Sequence, residues 1–106
     1  MNISITARGY KAPERLRNYI TAKLSRKERL YEGVIDREII LSYEKQTQVA
    51  EFKVKINNKI LIACEKSDDI FKSIDMALDN AERQLKRYKE KRRDHDNKKM
   101  IDNLVA

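Results

Sequence analysis

The chain has 106 residues, of which 39% are charged, and Lys plus Arg outnumber Asp plus Glu by 24 to 17 for a formal charge of +7. That length holds one two-layer core, and a hydrophobic share of 41% can fill it. Two Gly and one Pro exclude a loop-rich chain, and a single Cys excludes an internal disulfide. No apolar run nears the roughly 18 residues of a membrane span, and no signal-peptide stretch opens the sequence, so the cytoplasm is the expected location. The cationic surplus points to a polyanionic partner, either nucleic acid or an anionic membrane surface.

Asn2 to Thr6 alternates around Ile3 and Ile5 and predicts a first strand. Pro13 and Glu14 suit the first turn of a helix whose stripe is Leu16, Tyr19, Ile20 and Leu24, running on through Leu30 and Tyr31 to a stop at Gly33. Arg15, Arg17, Lys23, Arg26, Lys27 and Arg29 decorate its flanks. Val34 to Glu44, with Ile39-Ile40-Leu41 inside it, reads as a central strand covered in part on both faces. Gln46 to Gln48 is a polar connection, after which Ala50, Phe52, Val54 and Ile56 alternate with Glu51, Lys53 and Lys55 as a half-buried strand. Asn57-Asn58 signals a two-residue type I′ hairpin, and Lys59 to Glu65 returns as a fourth strand.

From Ser67 to Arg93 the pattern is one long helix, with Ser67 as N-cap and Asp68 and Asp69 in the first turn. Ile70, Ile74, Ala77, Leu78, Ala81, Leu85 and Tyr88 form its apolar stripe. Arg83 to Arg93 holds seven basic side chains against Glu90 alone, a net +6. The order β-α-β-β-β-α, with one crossover helix and two hairpins, predicts an α+β two-layer sandwich with both helices on one face of a four-stranded mixed sheet. Residues 1–93 form the domain, and 94–106 are expected to be a flexible C-terminal tail, although Met100, Ile101, Leu104 and Val105 keep helical spacing.

Catalysis finds no parts here. Cys64 sits beside Ala63 in an apolar strand, where a small buried thiol is expected, and His95 lies between Asp94 and Asp96 without the several fixed ligands a metal needs. The two glycines make no phosphate loop. No enzyme activity, metal, cofactor or small-molecule substrate is expected. A charge run is most often a solvated face. This one is nearly all of one sign, its arginines can grip phosphates with two hydrogen bonds, and a second basic helix lies in the same layer. The apolar stripe is claimed by the sheet, which argues against lipid, and no base-reading helix stands out. Cations without interleaved aromatics read backbone and shape, as on structured RNA.

Several stretches carry a family likeness. They are Asn2-Ile3-Ser4-Ile5-Thr6-Ala7-Arg8, Leu16-Arg17-Asn18-Tyr19, Val49-Ala50-Glu51, Asp69-Ile70-Phe71-Lys72-Ser73-Ile74-Asp75 and Glu82 to Lys89. Through them the chain resembles the ribosome hibernation-promoting factor family, which includes the ribosome-associated translation inhibitors, in its short form. The resemblance implies the same β-α-β-β-β-α fold and docking on the small ribosomal subunit and its 16S-type rRNA, in the channel of messenger and tRNA anticodon ends. It implies inhibition of translation by occlusion under starvation or stationary phase. By the same resemblance Arg83, Lys86, Arg87 and Lys89 are expected to contact rRNA phosphates, joined by Lys91 and Arg92, with Arg8, Lys23 and Arg26 on the first-helix side. Asn80 departs from the family, which often has Lys there. The protein is expected to be monomeric off the ribosome and to have no membrane partner. The rival reading is a double-stranded-RNA-binding module acting off the ribosome.

Overall fold

The structure, a computed structural model, describes residues 3–105, with side chains through Arg92. In chain order the elements are β1 (Ser4–Ala7), α1 (Glu14–Ser25), β2 (Val34–Glu44), β3 (Thr47–Ile56), β4 (Lys59–Ser67) and α2 (Ile70–Val105). The sheet runs β1-β2-β3-β4, with β1 parallel to β2 and the other neighbours antiparallel. This is the expected α+β sandwich. Helix α2 runs on to Val105, past the Arg93 at which the sequence pattern ends it; the side chains of 93–106, the Asp94-His95-Asp96 group among them, lie outside those described.

The two-residue period sets the faces. Ile39 and Leu41 of β2 lie opposite Phe52 and Ala50 of β3, and Phe52 and Val54 lie opposite Ala63 and Leu61 of β4, all buried on the helix side. Leu16, Ile20 and Leu24 of α1 and Ile74, Ala77, Leu78, Ala81 and Leu85 of α2 close the same core. Ile40 is 7% exposed although it points to the other face, so β2 is indeed covered on both sides.

Contacts between the helices climb in step. Tyr19 packs edge-on against Phe71, with ring centroids 5.0 Å apart, Lys23 meets Asp75, and Lys27 meets Glu82. The helices are therefore parallel, and α2 runs from the Ser67 end of the sheet to the Asn57 end, where the Asn57 amide donates to the Tyr88 hydroxyl at 2.8 Å.

Four sequence expectations are corrected in detail. Ser67 is the last residue of β4 and Asp69 caps α2, its Oδ1 accepting the Phe71 amide at 2.9 Å; the Ser67 hydroxyl is instead bonded to Asp69 and Ser73. Helix α1 ends at Ser25 with Pro13 as N-cap, and residues 26–33 continue as turns up to Gly33, whose φ of +88° opens β2. Both hairpins are two-residue loops, Lys45-Gln46 and Asn57-Asn58, and in each only the first residue has positive φ, which is the pattern of a type II′ turn instead of I′. Cys64 is exposed: Leu61 and Ala63 take the helix side of β4, so alternation turns Cys64 to the open face with Ile60 and Ile62.

Candidate nucleic-acid interface

Because the helices are parallel, their C-terminal parts share one end of the molecule. Arg26 and Lys27, just past α1, lie across from Glu82 and Lys86 on α2, and the Lys89 ammonium donates to the Leu30 carbonyl. Cations collect where the sheet's β3–β4 hairpin also ends.

Over residues 70–92, whose side chains are described, α2 falls into two halves, and the second, from Ala81 on, divides its charge around the helix. Arg83, Arg87 and Lys91 stand four residues apart on one exposed ridge, and among the described residues no carboxylate pairs with any of them. Lys86 is held at 3.1 Å by Glu82, one turn earlier in α2, and the same carboxylate takes Lys27 at 3.2 Å. Burial alone would push the Glu82 carboxyl up, but the hydrogen bonds from Lys86 and Lys27 outweigh it and hold it below the ordinary carboxylate value. Lys23 gives its ammonium to Asp75 at 2.6 Å, and that hydrogen bond raises its pKa against the opposing effect of burial. The Asp75 carboxylate also accepts from the Tyr19 hydroxyl at 2.6 Å.

The residues singled out from sequence thus fall into three groups. Arg83, Arg87, Lys91 and the exposed Arg92 share the far half of α2 and are open to solvent, with Arg92 also donating to the Tyr88 hydroxyl at 3.2 Å. Lys23 bonds across to Asp75 of α2, Lys86 pairs with Glu82 within α2, and Lys89 reaches the Leu30 carbonyl in the turns after α1, while Arg26 stays exposed beside them. Arg8 is not brought to this surface. Its amide bonds the Leu41 carbonyl at 2.8 Å, which places it at the opposite end of the sheet from Asn57 and the second half of α2.

Sequence reasoning passed over Lys27 as a site residue, although it reaches across to α2, and gave Asn80 no role. Asn80 donates to Glu65 at 3.0 Å and accepts from Gln84, so it braces α2 against β4. Neither contact has a local signal, because both depend on which elements the helices pack beside. Among the described residues no cluster of three or more His, Cys, Asp or Glu side chains could hold a metal, and no helix is long and apolar enough to cross a membrane. What the arrangement can do is grip phosphates: charged donors on a stiff helix, held at fixed spacing above a packed sheet.

Comparison with known proteins identifies the family and the fold. Residues 3–93 match the profile of the family described as Sigma 54 modulation protein / S30EA ribosomal protein. The chain is 30% identical over 95 residues to a ribosome hibernation promoting factor of Klebsiella oxytoca, covering 90% of this chain and all of that one. It is 27% identical over 95 residues to the Escherichia coli K12 protein of the same name, with the same coverage. A ribosomal subunit interface protein from Coxiella burnetii superposes with a TM-score of 0.79 at 28% identity, over 85% of this chain and 99% of that one. The N-terminal domain of Thermus thermophilus Protein Y gives 0.73 at 29% identity, over 83% and 99%. The likeness read from the sequence motifs is borne out, and the chain belongs to the Sigma 54 modulation protein / S30EA ribosomal protein family.

Proposed function

We propose that this protein associates with the ribosome as a hibernation factor in the cytoplasm. It docks on the small subunit in the channel used by messenger and tRNA anticodon ends, and it stops translation by occupying that space during starvation or stationary phase. The observation that carries the reading is the ridge of Arg83, Arg87 and Lys91, exposed and without a described carboxylate partner, on a helix whose other face is locked into the core. The names of its relatives and of its structural neighbours support a ribosomal partner. The action is steric and electrostatic, with no bond made or broken and no cofactor. A stiff domain delivers its cations to rRNA phosphates without first having to order them, and binding releases the counterions held there.

Sedimentation with small subunits through a gradient, with naked duplex RNA as competitor, tests this directly. Co-sedimentation that persists in duplex excess supports the ribosomal site, whereas preference for the free duplex makes the protein a double-stranded-RNA module. With about six phosphates engaged, the log–log salt slope is on the order of −4 to −5. Replacing Arg83, Lys86 and Arg87 together by Gln lowers its magnitude by roughly two to three and relieves inhibition in a translation assay. Full inhibition by a folded triple variant removes the assigned surface.

A further inference from the structure

The ridge on α2 has a second neighbour besides α1. On the β4 side, Arg87 and Lys91 face Lys59 and Ile60 across a groove also lined by Leu61, Gln84 and Tyr88. Three cations and no carboxylate line it. The Lys59 ammonium lies 5.7 Å from the centre of the Tyr88 ring, which bridges hairpin to helix. The Tyr88 hydroxyl receives donors from Asn57 at 2.8 Å and Arg92 at 3.2 Å, and these hydrogen bonds lower its pKa, a sign of the positive field there. Ile60 borders the groove at the sheet edge, with its side chain turned to the open face.

We infer that the groove between β4 and α2 is a track for a single-stranded RNA segment: Lys59, Arg87 and Lys91 take successive phosphates, and Tyr88 offers the π surface on which an unpaired base rests. A duplex keeps its bases stacked inward and has no use for that surface, whereas a single strand exposes every base face. An acidic protein segment would match the charge but not the flat aromatic wall. The inference deepens the ribosomal reading and rests on it only for where such a strand would be met.

The test is fluorescence anisotropy with a labelled oligouridylate and, separately, a labelled RNA hairpin duplex, using the full chain and its Lys59→Gln and Lys59→Glu variants. Lys59 is exposed, so both variants are expected to keep the wild-type Tm, which is measured alongside. Lys59→Gln is expected to weaken oligouridylate binding about three- to fivefold and to lower its salt slope by about 0.7, with Lys59→Glu losing more and the duplex affected by less than about twofold. Equal losses on both RNAs would reduce Lys59 to general charge and overturn the track, as would no loss on the single strand. Stronger competition by a polyglutamate peptide than by an unlabelled oligonucleotide of equal charge would assign the groove to a protein. Failure of the wild-type chain to sediment with small subunits sinks the ribosomal proposal and leaves the oligonucleotide result to stand by itself.

Discussion

The two halves of α2 over residues 70–92 have the same backbone and opposite employment. In the first half, polar groups are answered from within the domain. Ser73 is fully buried and donates to the Gln48 carbonyl at 2.8 Å, Asp75 collects Tyr19 and Lys23, and Asn80 ties to Glu65. In the second half the apolar stripe goes on through Ala81 and Leu85, but the outward side chains Arg83, Arg87 and Lys91 are left to solvent. One half fixes where the helix lies on the sheet, and the other uses that fixed position to display charge. Stability and binding should therefore respond to different residues a few turns apart.

The largest effect on folding belongs to the first half. Ile74→Ala removes a side chain with no exposure, and the cavity costs ~2–5 kcal/mol, a drop in Tm of roughly 10 to 20 °C by calorimetry for a domain of this size. Ser73→Ala strands the Gln48 carbonyl and costs ~1–3 kcal/mol, without touching salt-dependent RNA binding. A loss of RNA binding in folded Ser73→Ala would erase the division between the halves.

Lys89 and Arg87 sharpen the comparison from inside the second half. Lys89→Gln gives up the hydrogen bond to the Leu30 carbonyl and is expected to cost ~0.5–1.5 kcal/mol, while Arg87→Gln changes stability by less than about 0.5 kcal/mol. In ribosome binding the order is reversed, with Arg87→Gln the more damaging. Glu82→Gln is expected to cost at most about 1 kcal/mol, because Lys27 and Lys86 are half exposed. Since Glu82's pKa is depressed in the fold, its contribution is present above the ordinary carboxylate value and fades as pH falls through the folded one. Thermal melts of wild type and Glu82→Gln should differ at pH 7 and converge in acid below that value; a gap that persists there would mean the glutamate acts by packing.

Much of this was legible in the residues, because period is local. The alternation of Ala50, Phe52, Val54 and Ile56 and the steps of three and four from Ile74 to Leu85 each name a buried face without reference to any neighbour. The basic run on α2 was visible for the same reason. Errors arose where two local signals compete or where the answer depends on a partner element. Ser67 and Asp69 are both good caps, and the extension of β4 to Ser67 decides for Asp69. Cys64 sits among apolar residues, yet only the position of α2 determines which side of β4 is covered. Where the nine candidate cations lie relative to one another depends on the parallel run of the helices, which brings Arg26 near the basic part of α2 and leaves Arg8 at the other end.

One contact along β4 reaches further than its size suggests. The Gln84 amide donates to the Ile62 carbonyl at 2.9 Å, and β4 is the outer strand of the sheet, with Ile60 and Ile62 more than half exposed. Such a border invites another chain to extend the sheet by pairing, the first step toward aggregation. With a side-chain amide already seated at its middle, an arriving strand has to evict it before it can align. The helix that displays the charge thus also stands guard against self-assembly.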